Sequence, residues 1–271
     1  MKPAPFDYLR ATSVAEAVSA LAAAEGEAKI LAGGQSLVPV LALRLARPAL
    51  LVDVNRIPEL AGLTDLDERT VRVGALVRHA RLAEQTRHPL LAEAAKWIGH
   101  PAIRSRGTAG GSIAHADPAA ELPVVAVALD ATVQVTGPSG ARECAAGEFF
   151  TGPLQTVLAD DELVTAVDLP VPTRWGFAEL SRRHGDFGLV TVVVAEVAGT
   201  WRIAAGGVGG VPHRAAEAEA VLNEGGKIDE VAEAAASGLR PADDVHASAE
   251  YRRAMMVEFT RRALRVARGV G

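Results

Sequence analysis

The chain has a single cysteine, Cys144, among 271 residues. One thiol closes no internal disulfide, and alone it holds neither an iron–sulfur cluster nor a structural zinc. Any iron–sulfur or metal chemistry must therefore come from another chain. Cys144 itself reads as a small, half-buried side chain rather than a nucleophile. A basic excess is also missing. The formal net charge of -5 argues against bulk nucleic-acid binding, which needs a basic face. No apolar run approaches the roughly 20 residues of a membrane span. The opening Met1-Lys2-Pro3-Ala4-Pro5-Phe6 lacks the apolar core of a secretory signal, so a cytoplasmic protein is expected. Tyrosine is scarce: only Tyr8 and Tyr251 occur, both near the termini.

The common nucleotide and hydrolase signatures are absent too. A Rossmann fingerprint requires Gly-x-Gly-x-x-Gly after the first strand. Gly206-Gly207-Val208-Gly209-Gly210 comes nearest, but Pro212 takes the place of the last glycine. No Walker A sequence occurs, since Gly226-Lys227 is followed by Ile228. Neither His-Glu-x-x-His nor a nucleophile elbow is found. A dinucleotide, if bound, requires a different architecture.

What the chain does have is 49% hydrophobic and 23% charged residues, the balance of a globular protein long enough for two domains. It also has two double-glycine segments. Ala32-Gly33-Gly34-Gln35-Ser36 follows a short apolar run, and Thr108-Ala109-Gly110-Gly111-Ser112 sits inside a long polar loop. Backbone N–H groups freed by glycine approach a phosphate that a Cβ would push away. One such segment is usually only a turn. Two of like chemistry suggest a pyrophosphate held between two loops, and hence a dinucleotide.

Around them the chain reads as mixed α+β. Ser13-Val14-Ala15-Glu16 is a capping box, and Val14, Val18, Leu21 and Ala22 recur at helical spacing. Lys29–Ala32 and Leu50–Val54 read as strands, with a helix over Val38–Leu45 between them. A strand is expected over Thr70–Ala75, then helices near Arg81–Thr86, Leu90–Ile98 and Pro118–Leu129. The stretch Gly99–Gly107 is expected to be irregular. Strands recur around Thr132–Thr136 and Leu163–Leu169. Pro170-Val171-Pro172-Thr173 marks the domain boundary, because paired prolines continue neither ladder nor helix. Beyond it an antiparallel meander (Gly176–Arg183, Leu189–Glu196, Trp201–Gly206) precedes helices over Ala215–Leu222, Ile228–Ala236 and Ala249–Arg268.

These residues resemble a known family, the flavin subunit of molybdenum hydroxylases. It includes the medium subunit of carbon monoxide dehydrogenase and, as an equivalent, the central domain of xanthine dehydrogenase. The match runs through Ile30-Leu31-Ala32-Gly33-Gly34-Gln35-Ser36-Leu37, Leu51–Asn55, Arg104–Gly107, the segment Thr108 to Glu121, Arg183–Phe187, Gly206–Gly209 and Ala247–Arg252. It covers essentially the whole chain in order. It implies an FAD-binding region of the p-cresol methylhydroxylase/vanillyl-alcohol oxidase type over 1–172, with subdomains of about 1–55 and 56–172. A smaller C-terminal α+β domain of the carbon monoxide dehydrogenase flavoprotein type would follow over 173–271.

The resemblance implies non-covalent FAD, with Ala32–Ser36 and Thr108–Ser112 holding the pyrophosphate through backbone N–H groups and hydroxyls. Ile98 would fall among the flavin-contacting positions, Glu121 would stand near the cofactor, and Val164 would offer a backbone contact. Two departures stand out. Glu179 lies where the family often has a lysine, so no cationic contact to the flavin comes from there. Ala109 replaces a larger aliphatic residue.

No catalytic side chain and no metal ligand is expected on this chain. His115 and Asp117 read as ordering a loop beside the flavin, because no third ligand lies at useful spacing. Arg104 and Arg106 either complement phosphate charge or sit in surface or partner contacts. His184 and Asp186 read first as a turn. The arginines from Arg252 to Arg268 read as a solvated or subunit-facing helix surface. His79, His88, His100, His213 and His246 carry no distinguishing context.

The family implies an electron-exit subunit. Substrate would be oxidised at a molybdenum cofactor on a large subunit, and [2Fe-2S] clusters on a small subunit would relay electrons to FAD here. NAD, a quinone, oxygen or another carrier would then take them. The alternative is a standalone FAD-dependent oxidoreductase with its own small substrate; the lack of tyrosines away from the termini weighs against it. An assembly subunit without FAD conflicts with the intact glycine segments.

Overall fold

The computed structural model describes residues 2–270. Its first layer is a small parallel sheet. Strand β1 (Asp7–Arg10) leads into helix α1 (Val14–Ala23), then β2 (Ala28–Leu31), α2 (Leu37–Ala42) and β3 (Leu50–Asp53). The strand order is β1-β3-β2, so β3 lies central and is buried, whereas β1 is a largely exposed edge. The exposed polar surface of Asp7–Arg10 explains why no apolar pattern marks it as a strand. The capping box of α1 forms only by half. Ser13 accepts from the Glu16 amide, but the Glu16 carboxylate accepts from the Thr12 amide (2.8 Å) and hydroxyl (2.9 Å) instead of from Ser13.

The middle of the chain builds an antiparallel sheet with helices on it. After a 3-10 turn at Pro58–Ala61 come β4 (Leu63–Asp65) and β5 (Thr70–Gly74). Helices α3 (His79–Glu84), α4 (Pro89–Trp97), α5 (Pro101–Arg104), α6 (Ala109–His115) and α7 (Glu121–Ala128) follow. Then come β6 (Thr132–Gly137), β7 (Gly140–Ala145), α8 (Ala146–Phe149), the short β8 (Phe150–Gly152) and β9 (Gln155–Thr156), and β10 (Leu163–Pro170). The sheet order is β4-β5-β10-β6-β7.

Two expectations change here. The Gly99–Gly107 stretch contains the turn of helix α5, opened by Pro101 at its first position. The second double-glycine segment is not a loop. It is the first turn of α6, capped by Thr108, whose hydroxyl accepts from the Gly111 amide. The helix expected from Pro118 begins only at Glu121, because Asp117–Ala120 forms a turn first.

The last part is a four-stranded antiparallel sheet under helices. It comprises β11 (Arg174–Leu180), β12 (Val190–Val197), β13 (Thr200–Gly206) and β14 (His213–Arg214), then α9 (Ala216–Asn223), α10 (Ile228–Ala236) and α11 (Ala249–Arg268). Strand β12 is buried for most of its length on both faces, which explains its unbroken Val-Thr-Val-Val-Val-Ala run. Helix α11 covers one face of this sheet and α7 packs on the other. Every residue of α7 is buried, so its apolar sequence shows no single face. One apolar cluster runs from Val73 and Leu82 through α7 to Phe177, Val193 and Ala204, joining the middle and last sheets.

Arg252 departs from the solvated-surface reading of its helix. It is buried, and its Nη1 donates to the carbonyls of Leu189 (2.7 Å) and Gly207 (2.8 Å), while Nη2 meets Asp244 at 2.6 Å. Arg261 bridges to Asp229 and Glu233 of α10.

Candidate functional site

The two double-glycine segments meet. Gly33 lies against the backbone of Arg106 and Gly107, and a Cβ there would fall 2.9 Å from the Gly107 Cα and closer still to the Arg106 carbonyl. Gly110 abuts Ala75 with no room for a Cβ, and a Cβ on Gly107 would reach 2.6 Å from His79 Nδ1. These glycines therefore serve close approach of protein to protein, which then creates the surface a ligand would meet. Gly34 has the left-handed backbone, at φ +73°, that turns the chain from β2 into α2.

That turn leaves a row of free donors. The amides of Gly33, Gly34, Gln35, Ser36 and Leu37 donate to no protein acceptor among the described residues. Consecutive unpaired amides at a helix start form a concave, positively polarised surface suited to an anion. The second segment is different. Its amides are engaged: Ala109 with the Val77 carbonyl (2.9 Å), Gly110 with Ala75 (2.9 Å), and Gly111 and Ser112 with Thr108. What it presents are the hydroxyls of Thr108 and Ser112.

Three side chains brace the two segments. Asn55 donates from Nδ2 to the Ala32 carbonyl at 2.8 Å. Arg78 donates to Asn55 Oδ1 at 2.6 Å and also to the Arg106 carbonyl. His79 is buried, with Nε2 2.9 Å from the Thr108 carbonyl and 3.0 Å from the Ser112 hydroxyl; its Nδ1 has no partner. Burial holds the His79 pKa down at about 4, so the ring is neutral. Arg104 spends its guanidinium on carbonyls at the end of α4, including Gly99 at 2.6 Å, and is a structural cap rather than a phosphate ligand.

A cavity of about 780 Å³ opens along this junction, a size typical of cofactor sites. All the expected site residues line it except Leu31 and Ala109. Ile30, Ala32, Gln35, Ser36 and Leu37 form one wall, and Ile98, Gly110, Gly111 and Glu121 another, with Val164 contributed by β10 of the middle sheet. Leu31 points from β2 away from it, and Ala109 is packed beneath α6. His115 and Asp117 also line the cavity, and Asp117 Oδ1 accepts from the Ala119 amide, as the loop-ordering reading expects. Gly185, Asp186 and Phe187 reach in from the loop before β12.

Sequence reading missed His79 and Arg78. Both sit just past β5, far in sequence from either glycine segment, and no local pattern distinguishes them.

The far end of the cavity is acidic. Glu121, first residue of α7, is buried, and burial together with nearby Asp117 pushes its carboxyl well up. Behind it, Glu179 on β11 is pushed up further by burial and by the charge of Glu121. Its Oε2 accepts from the Thr191 hydroxyl at 3.0 Å, and its Oε1 has no partner among the described residues.

A cavity of this size between α+β lobes, with a row of free amides facing a second glycine segment, is the design of a dinucleotide-binding protein outside the Rossmann class. Comparison with known proteins identifies the class further. Residues 4–172 match the FAD binding domain in molybdopterin dehydrogenase, and residues 175–267 match the CO dehydrogenase flavoprotein C-terminal domain. The chain is 43% identical to the 6-hydroxypseudooxynicotine dehydrogenase complex subunit alpha of Paenarthrobacter nicotinovorans, over 97% of this chain and 95% of that one. It is 42% identical to the nicotine 6-hydroxylase medium subunit of the same organism, over 97% and 98%.

In three dimensions it superposes on a carbon monoxide dehydrogenase from Hydrogenophaga pseudoflava that lacks the Mo-pyranopterin moiety of the molybdenum cofactor. The TM-score is 0.92 at 38% identity, covering 100% of this chain and 99% of that one. The chain belongs to the FAD-binding subunit family of molybdenum-containing dehydrogenases and hydroxylases. Among the described residues no helix is long and apolar enough to cross a membrane, and no cluster of His, Cys, Asp and Glu is arranged to hold a metal.

Proposed function

We propose that this chain is the FAD-carrying electron-transfer subunit of a multi-subunit molybdenum hydroxylase. The observation that carries the reading is the run of five free amides at 33–37, set against the Thr108 and Ser112 hydroxyls across one cavity. That donor set fits a pyrophosphate: neutral N–H and O–H donors converge on it, and no carboxylate lies in either glycine segment. Ile30, Ile98 and Val164 supply the apolar walls, and the buried acidic end lies at Glu121. Bound FAD would accept electrons singly and release them as a pair.

The protein's own work is to bind, orient and shield. The free amides of Gly33–Leu37 and the hydroxyls of Thr108 and Ser112 would hold the cofactor, with Gly110 and Gly111 as wall; Asn55, Arg78 and His79 hold the two segments in place. Cofactor chemistry of this kind asks no nucleophile of the protein, and none is assigned. The oxidised substrate, the molybdenum cofactor and the [2Fe-2S] clusters are placed on a large and a small partner subunit, in keeping with a lone cysteine on this chain. The final acceptor is NAD, a quinone, oxygen or a protein carrier. We divide the chain into the cofactor-binding region 1–172, with subdomains of about 1–55 and 56–172, and the region 173–271; the ranges of the two family matches support this division.

The test is co-expression with candidate large and small subunits. The expected result is a complex containing one flavin per copy of this chain together with iron and molybdenum. The flavin should be reduced by substrate only when all three subunits are present. Reduction by a small substrate with this chain alone would overturn the reading in favour of a standalone oxidoreductase. An isolated chain that takes up no added FAD would overturn the assignment of the cavity.

A further inference from the structure

One buried carboxyl, Glu121, ends the cavity and a second, Glu179, stands behind it, with no ion pair to either among the described residues. Glu121 lines the cavity at the start of α7; Glu179 does not reach it but stands behind. The sheet register fixes their relation. Glu179 pairs across with Thr191, and Thr191 pairs with Gly206, so all three lie on one face. That face looks onto α7: a Cβ on Gly206 would fall 2.7 Å from Val124 and 3.3 Å from the Pro118 carbonyl. The Gly207 amide donates to the same Pro118 carbonyl at 2.9 Å. Glu179 thus faces the turn that carries Glu121.

The charged groups around them offer no neutralising partner. The charges acting on the pair are acidic, Asp117 on Glu121 and Glu121 on Glu179. Arg202 and Arg214 are both paired with Asp130, beyond the opposite end of α7. Arg174 is engaged with Glu196, Lys96 of α4 with Glu93, and Arg252 of α11 with Asp244. Arg182, Arg183 and His184 of the loop before β12 are exposed to solvent, and Asp186 there adds only negative charge. His115 at the end of α6 lines the cavity without an ion pair to either carboxyl.

Two like charges cannot both be kept in such a place. One carboxyl oxygen of Glu179 is buried without a hydrogen-bond partner among the described residues, which a proton on the pair would relieve.

We propose that Glu121 and Glu179 work as one carboxyl pair holding a proton between them at neutral pH, so that the acidic end of the FAD cavity carries at most one negative charge. Glu121 is the member that faces the cofactor, and Glu179 is the positioning residue behind it. As the pH rises the proton leaves to solvent, and a doubly negative pair stands beside a cofactor that already carries a negative pyrophosphate. FAD affinity then falls. The inference rests on the FAD reading above.

The test is titration of the full chain with FAD, followed by flavin fluorescence, at pH values from about 6 to about 9.5. For the unmodified chain Kd is expected to rise with pH, approaching about tenfold per unit where the last proton is lost. Glu179→Gln leaves Glu121, buried beside Asp117, as the one titrating carboxyl, so the second negative charge never forms and the rise begins at lower pH; Glu179→Lys removes the rise by giving Glu121 an ionic partner.

An independent reading comes from the infrared spectrum of the chain without FAD. It should show a protonated-carboxyl band at neutral pH that disappears in alkali, is weakened in Glu179→Gln and is lost in Glu179→Lys. A pH-independent Kd in the unmodified chain, a rise unshifted in Glu179→Gln or retained in Glu179→Lys, or no such band at neutral pH would each overturn the proposal. Absence of FAD binding at every pH would instead overturn the functional reading, and the infrared band alone would then decide the pair. Should Glu179→Gln not fold, Glu179→Lys and the unmodified chain carry the decision.

Discussion

Arg78 and Asn55 are joined side chain to side chain, Nη2 to Oδ1 at 2.6 Å. Asn55 in turn holds the Ala32 carbonyl, and Arg78 holds that of Arg106. The first glycine segment is thereby tied to the backbone just before the second, through two residues that belong to neither. Burial of the guanidinium and nearby Arg106 depress the Arg78 pKa, yet arginine stays charged and its hydrogen bonds are charge-assisted. Arg78→Ala is expected to cost about 1–3 kcal/mol of stability. It should weaken FAD binding by roughly tenfold or more, since about 1.4 kcal/mol lost from the bound state is a factor of ten. Arg78→Lys should restore charge without the two-point contact and recover little. Calorimetric melts and FAD titration of the three proteins check this; equal affinities would show that the brace does not shape the site.

The close approach at Gly33 gives a sharper prediction. Gly33→Ala places a methyl group against the Arg106 carbonyl, which is backbone and has little room to move. Such overpacking costs about 1–3 kcal/mol, and it should separate the two segments that form the cavity. Gly147→Ala is the control, because nothing lies within 4 Å of a Cβ there. FAD binding should be lost or reduced more than tenfold in the first and unchanged in the second, each factor of ten being about 1.4 kcal/mol.

The hydroxyl of Ser112 is the polar group that the second segment turns to the cavity, held 3.0 Å from neutral His79. Ser112→Ala leaves the backbone bonds of α6 in place. It is expected to lower FAD affinity by about three- to tenfold, the worth of one hydrogen bond of about 0.5–1.5 kcal/mol. The melting temperature should change little. A fall in stability without a fall in affinity would assign Ser112 to the fold alone.

How much of this was legible beforehand follows from where the information lies. The glycine segments stand in local patterns, whereas Ile98, Glu121 and Val164 came only through the family resemblance; the cavity gathers them all. The last two helices, Ile228–Ala236 and Ala249–Arg268, were legible to the residue, because their spacing and caps are local. Strand β1 was not, since it is mostly exposed and carries no apolar alternation. The helical state of Ala109–His115 was hidden by its glycines, which have poor helix propensity. Contacts with Ala75 and Val77 override it. Arg78, His79 and Arg252 act through partners tens of residues away, and no spacing rule reaches that far.

Stability should depend on pH through two opposed groups. Burial holds His79 and His88 down at about 4. The folded state thus binds fewer protons there, and their contribution is lost as pH falls from about 6.5 towards 4. Glu121 and Glu179 are pushed up, to about 7 and about 8. The folded state binds more protons there, and their contribution is lost as pH rises from about 4.5 to 8. Between about 4.5 and 6.5 the slopes oppose each other; above 6.5 only the carboxyls act. The stability of the chain without FAD, followed by its melting temperature, is therefore expected to fall from pH 6.5 to 8, by at most about 1.4 kcal/mol per pH unit for each proton. Glu179→Gln should flatten that limb and leave the acid limb intact. An unchanged alkaline limb in this variant would remove the carboxyl pair as its cause.

Arg252 links the C-terminal helix to the loop that reaches the cavity. Its guanidinium joins the Leu189 carbonyl at the end of that loop to the Gly207 carbonyl beyond β13, with Asp244 as counter-ion. Gly185, Asp186 and Phe187 of the loop line the cavity. Arg252→Met keeps the aliphatic bulk, removes the charge, and leaves the Leu189 and Gly207 carbonyls without this donor, while Asp244 keeps the His246 and Ala247 amides. The expected cost is about 3 kcal/mol, because breaking a buried, hydrogen-bonded charge strands its partners. Urea unfolding measures that cost, and hydrogen exchange locates it. Amides at 181–189 should exchange faster while those of β2 and β3 keep their protection. Uniform loosening of the whole chain would show that Arg252 supports the core in general rather than this loop against the cavity.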